Sequence, residues 1–402
     1  MRSAVVVGAG IGGLAAAGAL ARSGWQVTLL ERADRIRVDK AALLVWPNGL
    51  RALRALGLHA GLSAIATPVR HGGVRRPDGQ WLAQPGVDPA READLPVVVH
   101  REDLHDTLVA GLGADIEIHT GVAVRSVRAN AGERPAVSDG RTTWEADLVV
   151  GADGIDSMVR RRLAPESLAV SAGCTAWRAV IPWYRAPRLP EDQPVGGETL
   201  GAGYRFIAAS LGERGSSGGS VRGGIYWIAT ATGAPRPEPP ATQLVLLRRW
   251  FAGWHAPIGE LLAATDPEDV VQHAVRELRP LPRGYGFPAG TGGFVLLGDA
   301  AHAMPHHLGQ GACLAFEDAA TLATVVHDAV PGEALRSAVD AYNRVRRPRA
   351  ARIVRQTRRM GAVVQARGRL ALRARDAALG SLSPRLLDRA ATTAASWRPP
   401  RR

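Results

Sequence analysis

Lysine is almost missing from this chain of 402 residues: Lys40 is the only one among 50 lysines and arginines. Cysteine is nearly as scarce. Cys174 and Cys313 are far apart and in no metal-ligand spacing. Neither a disulfide framework nor a metal site is therefore expected, and a reducing, cytoplasmic setting is. No uninterrupted apolar run is long enough to span a bilayer, and no internal repeat is visible. With 46% hydrophobic and 22% charged residues, the composition is that of a globular protein. The length suits two or three structural units. A formal charge of +13 raises the question of nucleic acid. The arginines are scattered, however, and their densest group, Arg344 to Arg359, lies on a helical pattern. A basic patch alone is a footprint and not a site. Positive charge can instead favour anionic cofactors and substrates.

What is present is concentrated in the first thirty-one residues. Arg2 to Val7 reads as a strand. Gly8-Ala9-Gly10-Ile11-Gly12-Gly13 follows, and the alanine-rich run Leu14 to Ala21 reads as a helix. Gly24-Trp25 turns the chain, Gln26 to Leu30 is a second strand, and Glu31 closes it. In such a unit Gly8 permits the tight turn, Gly10 lets backbone approach a pyrophosphate, and Gly13 lets helix and strand pack closely. The helix N-terminus offers free N–H groups to that pyrophosphate. Glu31 stands where an acid accepts hydrogen bonds from an adenosine ribose. Arg2, the apolar run and Ala15 to Ala17 imitate a secretory signal. The glycines interrupt its would-be apolar core, and a strand follows, so a nucleotide-binding unit is the expectation.

Farther along, Trp46-Pro47-Asn48-Gly49 starts a helix ended by Gly57. Residues 69 to 83 read as a hairpin around Pro77-Asp78-Gly79. Val97 to His100 is a strand and Arg101 to Leu112 a helix. Ile116 to Ile118, Ala123 to Val127 and Trp144 to Val150 are further strands. Two dense motifs come next: Gly151-Ala152-Asp153-Gly154, running on to Arg160, and Gly298-Asp299-Ala300-Ala301-His302. The second leads into Gly309-Gln310-Gly311-Ala312 and a helix carrying Glu317-Asp318-Ala319. Between them, residues 171 to 284 are strand-rich and hold five of the ten tryptophans. Residues 335 to 380 read as arginine-rich helix, and the end, from Trp397, is expected to fray.

These three spaced motifs make the sequence resemble the single-component FAD-dependent monooxygenases of the para-hydroxybenzoate hydroxylase fold. Trp46-Pro47-Asn48, Thr175-Ala176-Trp177-Arg178, Tyr226-Trp227 and Trp250-Phe251-Ala252-Gly253-Trp254 look most like its salicylate- and urate-hydroxylase-like branch. The resemblance runs to about residue 360. It implies an α/β fold: a Rossmann-like FAD-binding domain with an inserted sheet-rich substrate domain and C-terminal helices. The FAD-binding domain would comprise residues 1–70, 98–170 and 285–330. Residues 71–97 would be a substrate-side hairpin, 171–284 the substrate domain and 331–402 the helical region.

Carried over by the resemblance, Gly8, Gly10, Gly12 and Gly13 would hold the FAD pyrophosphate and Glu31 the ribose. Arg32, Lys40 and Asp153 belong to the same cofactor-binding set. Arg101 would lie beside the cofactor, Val124 would meet adenine through its backbone, and Asp299 would bind the ribityl chain. Gly311 and Ala312, at a helix start, would face the flavin pyrimidine, where a helix dipole stabilises negative charge. The implied activity uses NADH or NADPH and dioxygen to oxygenate an aromatic or electron-rich small molecule through a flavin C4a-hydroperoxide. His306, Arg205 and Tyr226 are the catalytic candidates. Arg178, Tyr204 and Trp227 are further candidates for the pocket.

Two departures from the family fall near the flavin ring. Lys40 and Ala42 stand where glycines are usual. His306 stands where a proline is usual, with Pro305 one position earlier and His307 after it. They keep open a flavin-dependent oxidase, dehydrogenase or redox-neutral cyclase. A non-enzymatic flavin or nucleotide sensor is a third reading. The expected partner is a small-molecule substrate, with no nucleic acid and no membrane span, in a monomer or homodimer.

Overall fold

The computed structural model describes residues 2–36, 41–69, 72–84, 95–113, 115–130, 132–189, 195–212, 223–233, 238–382 and 395–400. Lys40 therefore lies outside the described residues, as does most of the glycine- and serine-rich stretch after Gly212.

A six-stranded sheet forms the cofactor side. Its order from edge to edge is Gly286–Ala289, Gly292–Leu296, Leu148–Gly151, Arg2–Val7, Trp25–Leu30 and Ile116–His119. All neighbours are parallel except the first pair. The register explains why motifs far apart in sequence meet. Val7 lies opposite both Gly151 and Leu30, and Gly151 lies opposite Leu296. The turns that begin at Gly8, Glu31, Ala152 and Leu297 thus leave the same edge of the sheet, at its carboxyl ends, where open α/β sheets place ligands. Val6, Leu29, Val149, Val150, Val295 and Leu296 are all buried, as two-sided packing of a parallel sheet demands.

The helix Ile11–Arg22 lies between this sheet and the helix Gly311–Val325, and its small residues set the spacing. A Cβ on Gly12 would come within 2.9 Å of Leu297 Cδ1 and 3.2 Å of Ala315 Cβ. A Cβ on Gly13 would stand 1.9 Å from the carbonyl oxygen of Gly8.

The second large sheet has seven strands, ordered Val271–Arg279, Leu168–Pro182, Gly224–Thr232, Tyr204–Ser210, Glu198–Leu200, Val74–Arg75 and Trp81–Ala83. The hairpin around Asp78 thereby joins the strand-rich segment at its edge. Strand alternation divides this sheet into two faces. Trp177, Phe206 and Trp227 point to one face, where they pack with Leu244, Leu247, Phe251, Leu261 and Leu262. Arg178, Arg205, Tyr226 and Thr230 belong to the other. The helices Pro240–Trp250 and Ile258–Ala263 that cover the first face are absent from the strand-rich expectation.

Other differences are local. The strand expected over Ala123 to Val127 is Ser126–Arg128. The arginine-rich C-terminal region is two helices, Glu333–Val364 and Arg369–Gly380. The chain end does not fray over residues 395–400. Arg51 donates from Nε to the Trp397 carbonyl at 2.9 Å and from Nη2 to the Ala395 carbonyl, fixing the tail to helix Pro47–Ala55.

Candidate functional site

The glycine turn has the shape its sequence calls for. Gly8 adopts φ +103°, a conformation that side-chain-bearing residues rarely take, and a Cβ there would meet the Ala152 carbonyl oxygen at 2.5 Å. Gly10 differs: nothing of the chain lies within 4 Å of where its Cβ would be. Open space thus adjoins the N-terminus of a twelve-residue helix whose cap makes no side-chain hydrogen bond. Room for the ligand beside free N–H groups is what a pyrophosphate requires.

Glu31 sits at the end of its strand with both carboxylate oxygens engaged. Oε2 accepts the Ala9 N–H at 2.8 Å and Oε1 the Ala33 N–H at 3.0 Å. The acid therefore shapes the glycine turn as well as standing beside it. The segment before Val124 is tied to the same corner, because Val122 N–H donates to the Glu31 carbonyl at 2.9 Å. Val124 is buried there, whereas Arg32 is exposed. Asp153 holds a turn together: its Oδ2 accepts the Met158 N–H at 2.7 Å and the Val159 N–H at 3.3 Å, at the start of helix Met158–Leu163, which Ser157 caps. Burial raises its pKa. Asp299, by contrast, is exposed at the start of the short helix Asp299–His302, where no side chain of the described residues takes its carboxylate. Gly311 and Ala312 open helix Gly311–Val325, and a Cβ on Gly311 would again meet nothing within 4 Å.

Beneath these turns lies a fully buried ionic network that sequence reasoning did not assemble. Glu317 and Asp318 are completely buried. Arg346 donates to Asp318 at 2.7 Å and to Glu317 at 2.8 Å, and Arg349 donates to Glu317 at 2.9 Å. Asp318 also accepts the Gly298 N–H at 3.0 Å and His302 Nε2 at 2.6 Å. Burial alone would raise the Asp318 pKa. His302 and Arg346 outweigh it and hold the carboxyl at about 2. On the other side, Asn48 donates to Glu317 at 2.7 Å and to Gln310 at 2.9 Å. One network therefore fixes the turn before Asp299, the residue before Gly311 and the start of the Pro47 helix. Arg160, also buried, adds a strap between motifs by donating to the carbonyls of Ile155 and Ala300.

The second face of the seven-stranded sheet supplies the other wall. Thr230 Oγ1 lies 3.1 Å from His306 Nε2. Arg205 donates to Glu198 at 2.7 Å and to the His307 carbonyl at 3.1 Å. Thr230 and Arg205 thus dock the turn His306–Leu308 onto the sheet. Arg178 is different: its side chain makes no hydrogen bond or ion pair among the described residues, and its buried Nε has no partner. Its charge is felt by Tyr226, His273 and His306. Burial, then Arg178 and Arg101, hold the His273 pKa down at about 4. Burial, then Arg205 and Arg178, put that of His306 well below the ordinary imidazole value. His306 is therefore neutral at pH 7, a hydrogen-bonding group and not an ammonium-like acid. Burial raises the Tyr226 hydroxyl in the same way.

The structure thus brings Arg178, Arg205, Tyr226, His306 and Arg101 toward one region, with Arg101 at the first position of helix Arg101–Ala110. It removes Trp227 and Tyr204 from it. Trp227 is completely buried and donates to Thr265 at 2.9 Å, and Tyr204 packs against Trp250 and Phe251 on the opposite face. Strand alternation within Tyr226-Trp227 carries the signal that separates them. His273 was missed; its pairing opposite Ala176 is a long-range register with no local mark.

Known proteins resemble this chain in sequence and in fold. A sequence family described as FAD binding domain matches residues 1–202 and 285–357. Aurachin C monooxygenase/isomerase of Stigmatella aurantiaca is 33% identical over 366 residues, 90% of this chain and 89% of that one. 3-Hydroxybenzoate 6-hydroxylase of Klebsiella oxytoca is 31% identical over 379 residues, 91% and 89% of the two chains. The crystal structure of Klebsiella pneumoniae HpxO with FAD and uric acid superposes with a TM-score of 0.81 at 26% identity, over 98% of this chain and 96% of that one. The matched blocks carry the glycine turn, both aspartate turns and the helix start at Gly311, and the chain belongs to the single-component FAD-dependent hydroxylases and monooxygenases.

Proposed function

We propose that this protein is a monooxygenase that takes electrons from NADH or NADPH and places one oxygen atom of O2 on an aromatic or otherwise electron-rich small molecule. FAD supplies the oxygen chemistry when bound. Gly8, Gly10, Gly12 and Gly13 would seat its pyrophosphate, Glu31 its ribose and Asp299 its ribityl chain. Val124 would line the adenine end through its backbone, with Arg32 at the exposed rim and Arg101 on the inner side. Asp153 would act at one remove, by holding the turn after Gly151. The N-terminus of helix Gly311–Val325, at Gly311 and Ala312, is oriented to favour negative charge near it.

The observation that carries the substrate reading is Arg178. A cation with no carboxylate partner among the described residues, on a sheet face shared with Tyr226, Ile207 and Ile228, suits a flat molecule with an acidic hydroxyl or carboxylate. Relatives named as hydroxybenzoate and urate hydroxylases and as a quinolone synthase support a planar, electron-rich ring. Neutral His306 would accept or relay a proton of the bound hydroxyl, and Arg205 would hold the turn that carries it. Tyr226 would contribute its hydroxyl as a neutral donor. The test is NAD(P)H consumption by FAD-loaded protein under 18O2, with hydroxylated benzoates, purines and quinolones offered in turn. One labelled oxygen in a product supports the oxygenase. Substrate turnover with unlabelled product and no O2 uptake identifies a redox-neutral reaction instead.

A further inference from the structure

A cavity of about 190 Å³ lies between helix Glu333–Val364, the strand Val271–Arg279 and the Pro305–His307 segment. Its polar lining is Glu277, Arg279, His307, Arg358 and Gln365. None of the groups assigned above to FAD is among them.

His307 is the informative wall. It is only 4% exposed. Its Nδ1 faces Arg205 Nη1 at 3.5 Å. A guanidinium can only donate, so Nδ1 is the lone pair and the proton of the neutral ring is on Nε2. That Nε2–H has no acceptor among the described residues. The ring edge bearing it sits against Gly361, whose added Cβ would stand 3.3 Å from Nε2, and Gly361 itself lines the cavity. An unpaired donor, closed off from solvent against Gly361, thus lies in the wall of a space large enough for a molecule.

The charge there is positive. The Glu277 carboxylate accepts from Arg358 at 2.6 Å and is ion-paired with Arg279 at 3.1 Å, so two guanidinium groups face one carboxylate. Arg358 further donates from Nη2 to the Leu278 carbonyl, which leaves Nη1 outside these bonds. Gln365 turns its own N–H toward the Ala172 carbonyl at 3.2 Å. Unmet N–H groups and one excess positive charge are complementary to a compact group rich in acceptor oxygens.

We propose that this cavity binds a small oxoanion of the carboxylate or phosphate class, at a site separate from FAD, through His307 Nε2–H and the guanidinium groups of Arg279 and Arg358. The site also touches the sheet face, because the same imidazole that would hold the anion meets Arg205 through Nδ1. The proposal does not depend on the oxygenase reading.

The test is calorimetric titration of FAD-saturated protein with inorganic phosphate, and separately with acetate, against chloride at matched ionic strength. Saturation with FAD keeps phosphate out of the glycine turn. Saturable binding of either oxoanion is expected in the wild type. Arg279→Gln, a change at a largely exposed side chain, should weaken it at least ten-fold, and His307→Phe should abolish it. If neither anion gives saturable heat beyond the chloride control, the cavity holds only water and the proposal fails. Equal binding by wild type and Arg279→Gln also overturns it, even if His307→Phe does not fold.

Discussion

His302 donates from Nε2 to Asp318 at 2.6 Å, and neither side chain is exposed. Asp318 accepts two further hydrogen bonds there, from Arg346 Nε and from the Gly298 N–H. This carboxylate is therefore the point at which the Asp299 turn is fastened to the long C-terminal helix. Asp318→Asn keeps the shape but removes the charge, leaving Arg346 with Glu317 as its carboxylate partner. Breaking one side of such a buried pair costs about 3–5 kcal/mol. Urea unfolding of the FAD-free protein should show a loss of that order. FAD affinity should fall as well, because the Asp299 turn is no longer fixed. A change below about 1 kcal/mol, within the range of an exposed ion pair, would assign the network no such role.

Arg178 gives a prediction on function. Arg178→Ala removes a charge that nothing among the described residues balances, so stability should not fall and FAD binding should stay as in the wild type. Substrate affinity should drop about 10- to 100-fold, the equivalent of roughly 1.5–3 kcal/mol for a hydrogen bond to a charged group. Steady-state KM and a direct binding titration check it, provided that the substrate is acidic. Unchanged KM for such a substrate would move the anion contact to another residue.

The pH dependence of stability follows from His273, His306 and His307: His306 is held well below the ordinary 6.5, and the other two at about 4. Burial comes first among the causes, and the neighbouring arginines add to it. Between pH 6.5 and pH 4 the unfolded chain binds protons that the folded one refuses. Stability therefore falls as pH drops through that window, by up to about 1.4 kcal/mol per pH unit for each histidine. Asp318 acts in a lower window: its depressed pKa stabilises fully above the ordinary carboxylate range, and that contribution is lost only as pH falls toward 2. Melting curves at pH 7 and pH 5 should show a clear fall in Tm. His307→Phe should shrink that difference, and an unaltered difference would assign the pH response to other groups.

The cofactor corner is the part most legible in the sequence, and the reason is locality. Strand, glycine turn, helix, strand and acid lie within thirty-one residues, and each step follows from the conformational freedom of glycine or from apolar alternation. The aspartate turns at 153 and 299 are similarly local, and parallel register brings them to the same edge. The network is not local. Glu317 and Asp318 read as ordinary helix residues, and their arginine partners 28 and 32 positions later read as part of a basic helical pattern, a solvated face or a docking surface. The helix Pro240–Trp250 is hidden differently: Leu244, Leu247 and Phe251 have helical spacing, but the surrounding tryptophans suggest strands. His306 is legible as a departure, while its neutrality depends on burial, and then on Arg205 and Arg178 arriving from distant strands.

Gly10 and Gly13 separate folding from cofactor binding. Gly13→Ala puts a methyl group 1.9 Å from the Gly8 carbonyl oxygen, a backbone atom that cannot move without opening the turn. That variant should lose stability and FAD together, the cost of overpacking being about 1–3 kcal/mol or more. At Gly10 the chain offers no obstacle within 4 Å, and the residue has an extended conformation with φ −69° that alanine adopts freely. Gly10→Ala should therefore leave the melting temperature of the FAD-free protein as it is, or raise it slightly, since alanine loses less chain entropy on folding. Its methyl group would project into the space beside the helix N-terminus. If the pyrophosphate lies there, FAD affinity should fall about 100-fold, the scale of roughly 2.7 kcal/mol, as read by flavin fluorescence titration. Wild-type affinity in Gly10→Ala would place the pyrophosphate away from Gly10 and would require a different seat for the cofactor along the same sheet edge.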